Sequence, residues 1–367
     1  MSIPNQISTV ILMTTVFVTL SSCIFKDMSP EDYVYSPPTA SDDGINTDTL
    51  ESLGFDTEKT SDIARSILDD QFREINSVLI YRSGYLVYEE YFNNFNQNTI
   101  HEIRSATKSI TGLLVGIAID LGFLTGIEQK VFELFTQYET FDNWDPRKQG
   151  ITVEHLLTMS SGLACDFDRV TSSDKQVLVY DVNDWVKLFL DAPVRNEPGQ
   201  KFAYCTAGIV TLGEVIRLAS GMSVEDFSEK YLFSPLGITN YKWEFTPAGQ
   251  VDTGGHIWIT ARDMLKIGKL FLQDGMWNDQ QILSKEWIDN SKAPYFENYG
   301  YTWWRSGVLT ENANYLIYSA DGNGGNRIFV VPEYDLVVVI SGSNYNSEYG
   351  QASEYILHSF ILPQLVR

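Results

Sequence analysis

Strand-like sequence is confined to the two ends of this chain, and that division constrains the fold more than any other feature. Toward the N-terminal end, Val78-Leu79-Ile80-Tyr81 and Tyr85-Leu86-Val87-Tyr88 are apolar runs separated by Arg82-Ser83-Gly84, the pattern of an antiparallel hairpin. Toward the other end, residues 299–304, 315–319, 327–331 and 336–341 have the same character. Between them, over about 153–236, apolar residues recur at helical spacing in segments separated by Gly-, Pro- and Asp-rich loops. The sheet must therefore gather strands from both ends, with an all-helical lobe inserted at about 125–250. Helices are also expected at 57–72, 105–124 and about 348–360. The second of these is strongly apolar and free of proline, and its length suits a core helix better than a membrane span. The expected class is α/β in the α+β sense, an antiparallel sheet flanked by helices.

The chain has 367 residues, 44% of them hydrophobic and 13% aromatic, enough for one large domain or two interleaved lobes. Acidic residues outnumber basic ones by 48 to 26, and a net charge of -22 repels polyanions, so nucleic acid is not an expected partner. None of the four histidines is spaced as part of a metal site, and no metal or cofactor is expected.

Residues 10–20 form an uncharged apolar run followed by small residues, which reads as a secretory signal. The run ends in Leu20-Ser21-Ser22-Cys23, which resembles the lipobox of bacterial lipoproteins. That resemblance implies a signal peptide at 1–22, lipidation at Cys23, and a membrane-anchored protein of the bacterial cell envelope. Residues 23–46, rich in Ser, Pro, Asp and Thr, read as a linker, and 47–367 as the folded domain. Of the remaining cysteines, Cys165 and Cys205, export makes a disulfide feasible. Nothing in their spacing demands one, and they read as two free, partly buried thiols.

Three segments carry candidate chemistry. Ser105-Ala106-Thr107-Lys108 opens the apolar helix, and a spacing of three puts hydroxyl and amine on one helical face, where the amine can take the hydroxyl proton. Tyr204 lies in a glycine-bounded turn ahead of another apolar helix, placed to shuttle a proton. Asn323-Gly324-Gly325-Asn326 precedes a strand, where glycines permit close backbone approach and an N–H can serve as an oxyanion donor.

Taken together, these segments resemble the serine β-lactamase, penicillin-binding protein and class C-like esterase superfamily from about Thr57 to the C-terminus. The family's S-x-x-K box maps onto Ser105 and Lys108. Its Y-x-N box maps onto Tyr204-Cys205-Thr206, with threonine in the asparagine position. Its third box maps onto Asn323-Gly324-Gly325, with the N–H groups of Ser105 and Asn326 as the implied oxyanion hole. Two further strings match the family: Ile151-Thr152-Val153-Glu154-His155-Leu156-Leu157-Thr158-Met159-Ser160-Ser161-Gly162-Leu163, in which His155 reads as structural, and Leu232-Phe233-Ser234-Pro235-Leu236-Gly237-Ile238.

The resemblance implies a β-lactamase/transpeptidase-like fold and acyl transfer through Ser105, with Lys108 as base and Tyr204 returning the proton. Asn323 offers no cation for a substrate carboxylate and Thr206 replaces a side-chain amide, so a small-molecule ester, amide or peptide-like substrate is expected. The alternatives are a β-lactamase or D-alanyl-D-alanine carboxypeptidase, or a non-catalytic sensor of the penicillin-binding type. Trp258, Tyr301, Trp303 and Trp304 read as core side chains in preference to an acyl pocket.

Overall fold

The computed structural model describes residues 28–165, 182–296, 298–309 and 314–365. The apolar run at 10–20 and Cys23 lie outside the described residues.

Seven strands form the main sheet. Three come from the N-terminal side, β1 (Asn46–Thr47), β2 (Ile75–Arg82) and β3 (Tyr85–Tyr91), and four from the C-terminal side, β4 (Trp304–Leu309), β5 (Asn314–Gly322), β6 (Asn326–Val331) and β7 (Leu336–Gly342). Their order is β1-β3-β2-β7-β6-β5-β4. β1 lies parallel to β3, and the other pairs are antiparallel. The two ends of the chain join where β2 pairs with β7, with Leu79 opposite Val339 and Val78 opposite Ile340. Alternation along these strands loads both faces. Leu79, Tyr81, Val337 and Val339 enter one core, while Val78, Ile80, Val338 and Ile340 enter the other. The β2–β3 turn is the expected hairpin, with Ser83 and Gly84 both at positive φ.

Four helices bear on the site: α1 (Thr57–Leu68), α2 (Thr107–Asp120), α3 (Thr206–Ser220) and α4 (Ala261–Leu272). The Asp56 side chain caps α1 by accepting from the backbone N–H groups of Glu58 and Lys59, and the helix buries Thr60, Ile63, Ala64 and Ile67 on one stripe. It stops short of Phe72 because the chain reverses at Asp70, which has φ 61. α2 is buried on all sides from Thr107 to Ala118. Each of Ile110, Leu113, Leu114 and Ile117 removed from water contributes about 1.5–3 kcal/mol. Gly116 lets the Trp287 ring press against the helix, since a Cβ there would lie 2.6 Å from that ring. The helical lobe holds α3 together with the short helices Val153–Leu157, Trp185–Asp191 and Val224–Ser228.

Two expectations are corrected. Residues 299–303 do not form a strand; they turn against α2, and Ser109 Oγ donates to the Thr302 carbonyl at 2.7 Å. Residues 28–46 are not a free linker either. Tyr33 is buried and donates to Glu90 at 2.6 Å, and Tyr35 donates to the Val87 carbonyl at 2.9 Å. The buried Arg262 of α4 grips Ser41, Asp43 and the Thr39 carbonyl. The composition that suggests a linker omits this: two phenols and one guanidinium hold an otherwise polar strap against the domain.

Candidate active site

Ser105 lies in the 3-10 turn Arg104–Ala106 that leads into α2. The residue before it, Arg104, has φ 52, a left-handed conformation unusual for a side chain of that size. It is held there by an ion pair to Glu102 at 3.1 Å, by the Tyr345 ring 4.6 Å away, and by Thr107 Oγ1 donating to its carbonyl at 2.6 Å.

One turn along, Lys108 is 2% exposed. Its Nζ donates to Ser105 Oγ at 3.0 Å and to the Gly254 carbonyl, and lies 4.9 Å from the centroid of the Tyr204 ring. A buried amine needs polar partners, and here the Ser105 hydroxyl, a carbonyl dipole and a ring face supply them, with no carboxylate within 4.0 Å among the described residues.

Tyr204 is half-buried, its ring stacked on Trp304 at 6.1 Å between centroids and 20° between planes. Its turn is tied to the loop that follows Val153–Leu157: Ala203 N–H donates to the Met159 carbonyl at 2.7 Å, and Cys205 N–H to Met159 Sδ at 3.3 Å. Cys165 and Cys205 form a disulfide with Cα atoms 5.3 Å apart, which corrects the expectation of free thiols. Their separation of 40 residues hid this, because the two Cα atoms meet only when the loop folds back on the tyrosine turn. Thr206 opens α3 beside Gly254, where a Cβ would lie 2.7 Å from its methyl group.

Ser105, Lys108, Tyr204 and Thr206 thus converge around Gly254, a residue for which sequence reasoning assigned no role. Asp252 supports it, accepting from Gly254 N–H at 3.1 Å, and burial pushes the Asp252 carboxyl up against the opposing charges of His256 and Lys108. His256 in turn pairs with Glu102. Glycines at 254 and 255 followed by a histidine were the available signal in the sequence.

The other nominated residues form the segment that follows β5. Asn323 is exposed and exchanges hydrogen bonds with Asn346, its Nδ2 donating to Asn346 Oδ1 at 2.8 Å and its Oδ1 accepting from Asn346 N–H at 3.1 Å. Gly324 pairs with Asn344, and a Cβ on it would lie 2.7 Å from the Tyr345 ring. The Gly325 carbonyl accepts from Ser353 Oγ at 2.6 Å. Asn326 is fully buried. Its amide donates to the Asn323 and Gly342 carbonyls at 2.9 and 3.1 Å, and its Oδ1 accepts from Gly342 N–H. This segment is therefore a β5–β6 turn locked onto residues 342–353. The glycine that meets the Ser105 segment is Gly322, where a Cβ would lie 2.0 Å from the Ile103 carbonyl oxygen. The close approach to the segment carrying Ser105 is thus made by Gly322, at the end of β5 and one residue before Asn323.

His155 caps Val153–Leu157, its Nδ1 accepting from Thr152 N–H at 3.1 Å. Tyr301 and Trp303 are core side chains, Trp258 lies under Lys242, and Trp304 alone of the four aromatics reaches the site. Among the described residues, no three His, Cys, Asp or Glu side chains gather as a metal site.

Comparison with known proteins agrees with this architecture. The family profile named Beta-lactamase matches residues 65–358. Penicillin-binding protein 4 of Amycolatopsis lactamdurans is 23% identical over 50% of this chain, and the match spans about half of that protein's length, 53%. The 6-aminohexanoate-dimer hydrolase of Paenarthrobacter ureafaciens is 22% identical over 72% of this chain and 71% of its own. Among solved structures, EstCE1, a hydrolase with promiscuous acyltransferase activity, superposes with a TM-score of 0.65 at 17% identity, covering 83% of this chain and 98% of its own. With the profile spanning most of its length and the sheet, lobe and helices arranged in the same way, this chain belongs to the Beta-lactamase family of hydrolase folds.

Proposed function

We propose that this protein is a serine hydrolase that cleaves an ester or amide through an acyl-enzyme on Ser105. The observation that carries the reading is the 3.0 Å contact from the buried Lys108 amine to Ser105 Oγ, with the Tyr204 ring 4.9 Å from the same nitrogen. Lys108 takes the Ser105 proton as Oγ bonds to the substrate carbonyl carbon. The tetrahedral oxyanion is held by the Ser105 N–H and by a second N–H at the end of β5, where Gly322 closes on residue 103. In this reading Asn323, the first residue beyond that strand, supplies the second donor, and Asn326 serves the turn. As the bond to the leaving oxygen or nitrogen breaks, Tyr204 passes it a proton drawn from Lys108. Water then attacks the acyl carbon by the same route and frees the serine.

No lysine stands at the end of β5, and Asn323 is engaged with Asn346, so that position offers no lysine ammonium to the carboxylate of an anionic lactam or peptide. Neutral esters and amides fit better. The lipobox-like Leu20-Ser21-Ser22-Cys23 supports export and membrane anchoring through lipid on Cys23, and a disulfide suits an oxidising compartment.

A fluorophosphonate probe, p-nitrophenyl esters of graded acyl length and a chromogenic cephalosporin test the reading together. Labelling and ester turnover that both vanish in Ser105→Ala are expected, with little cephalosporin cleavage. Labelling without turnover would make the protein a sensor, and no labelling would end the proposal.

A further inference from the structure

Asp252 is a buried acidic residue, 3% exposed, that takes no step in the proton route from Ser105. Its Oδ1 accepts from Gly254 N–H at 3.1 Å, and the carbonyl of that same glycine is the one to which Lys108 Nζ donates. Asp252 and Lys108 therefore hold opposite sides of one residue. The segment between them is fixed. Thr253 Oγ1 donates to the Ile209 carbonyl at 2.9 Å, Thr111 Oγ1 donates to the Thr253 carbonyl at 2.8 Å, and a Cβ on Gly254 would lie 2.7 Å from the Thr206 methyl group.

On its other side Asp252 faces His256. Nε2 of that ring lies 3.6 Å from Asp252 Oδ2, and its Nδ1 is bonded to Glu102 Oε1. Glu102 Oε1 also pairs with Arg104 Nη1 at 3.1 Å, and His101 acts on the same carboxylate. Arg104 directly precedes Ser105, so this series of charged groups starts behind Lys108 and ends at the nucleophile. Among the described residues, the charges that act on Asp252 are those of His256 and Lys108. Neither makes a hydrogen-bonded ion pair with it: His256 stands beyond hydrogen-bond length and Lys108 farther than 4.0 Å. Burial therefore pushes the Asp252 carboxyl up against the pull of those two groups, and its charge costs the fold stability.

A buried negative charge becomes favourable when a positive one appears near it. As the O–H bond of Ser105 breaks and Oγ bonds to the carbonyl carbon, the new N–H bond leaves a positive charge on Lys108, and the negative charge passes to the substrate oxygen. At 2% exposure water screens that nitrogen poorly, and the Gly254 carbonyl and the Tyr204 ring supply only partial charges. A fixed carboxylate behind Gly254 supplies a whole one and needs no rearrangement at the moment of transfer. We infer that Asp252 is a positioning residue of the acyl transfer, whose carboxylate, clamped by Gly254 and faced by His256, balances the charge that Lys108 gains from Ser105. The inference rests on the acyl-transfer reading of Ser105.

Asp252→Asn keeps the side chain's size and an oxygen for Gly254 N–H while removing the charge, and Asp252→Ser removes the charge with a smaller group. In hydrolysis of p-nitrophenyl butyrate by the full chain, both variants are expected to lose about tenfold to a hundredfold in plateau kcat, with KM within about twofold of the wild type. The acid limb of the kcat/KM profile is expected to move to lower pH in Asp252→Asn, because an amine without that negative neighbour holds a proton less firmly. The melting temperature of Asp252→Asn near neutral pH is expected at or above the wild-type value, since the buried charge that weighs on the fold is gone. Lower kcat beside undiminished stability separates this role from a structural one. A kcat unchanged in both variants, or lost in both only in step with the melting temperature, overturns the inference. If the wild type takes a fluorophosphonate label without turning over, the labelling rate stands in for kcat with the same expectations. A wild type that neither turns over nor takes the label ends the acyl-transfer reading and this inference with it, whereas an active wild type matched by Asp252→Asn ends the inference alone.

Discussion

The two ends of the candidate cleft are built in different ways. At the Ser105 end, the hydroxyl and the amine stand three residues apart on one turn, and α2, buried from Thr107 to Ala118, fixes them as a unit. At the β5 end, the chain reaches the cleft only because β5, β6 and β7 pair in one register and the β5–β6 turn is bolted to residues 342–353. The first arrangement is local and robust to small shifts elsewhere. The second depends on distant pairing, so a fault in the sheet is felt where Gly322 meets the segment carrying Ser105.

Five changes test that contrast, beginning with the most severe. Lys108→Ala removes the amine within reach of Ser105 and is expected to lower kcat/KM for a p-nitrophenyl ester by about a thousandfold or more, while circular dichroism still reports a folded chain. A kcat/KM retained within tenfold would show that the local end does not carry the chemistry. Cys165→Ser, or reduction of the wild type, opens a closed loop spanning a separation of 40 residues and is expected to cost about 3–4 kcal/mol of stability in urea unfolding. A smaller kcat should accompany it, because the Tyr204 turn loses one of its ties. Unchanged midpoints with and without reductant would remove the disulfide from the account.

Gly322→Ala drives a methyl group into the Ile103 carbonyl and is expected to cost about 3 kcal/mol, divided between stability and a fall in kcat. Gly324→Ala, strained by φ 91 and crowded by Tyr345, is expected to lower the melting temperature with much less effect on kcat. If Gly324→Ala is the more damaging to kcat, the cleft is bounded by Asn323-Gly324-Gly325 and not by Gly322. Asn326→Ala leaves the Asn323 and Gly342 carbonyls without their donor and is expected to cost about 2 kcal/mol in thermal unfolding. A loss of activity without a loss of stability would show that the Asn326 side chain serves the cleft and not only the turn.

The sequence was readable wherever a short-range period decides the structure. Alternation gave β2 and β3, and the Ser83-Gly84 turn placed their hairpin. An i, i+3 spacing put Lys108 on Ser105, and His155 was rightly kept out of the chemistry, because a capping pair with Thr152 is a local pattern. The sequence was less legible where partners lie far apart. The bonds of Asn323-Gly324-Gly325 to Asn344, Asn346 and Ser353 join segments that no local pattern connects. The strap at 28–46 reads as a linker because Arg262, which binds it, lies more than two hundred residues away in sequence.

The sequence by itself therefore determined that Ser105 and Lys108 share a helical face, how the strands alternate and that the sheet needs both chain ends, since these follow from periods of two and of about three and a half residues. Only the tertiary structure decided that Gly254 anchors Lys108, that Gly322 closes on Ile103, that Cys165 bonds to Cys205 and that Asp321 borders a cavity beside Trp304. Each of those is a contact between segments whose spacing along the chain carries no period, and such contacts become definite only when the whole core is packed.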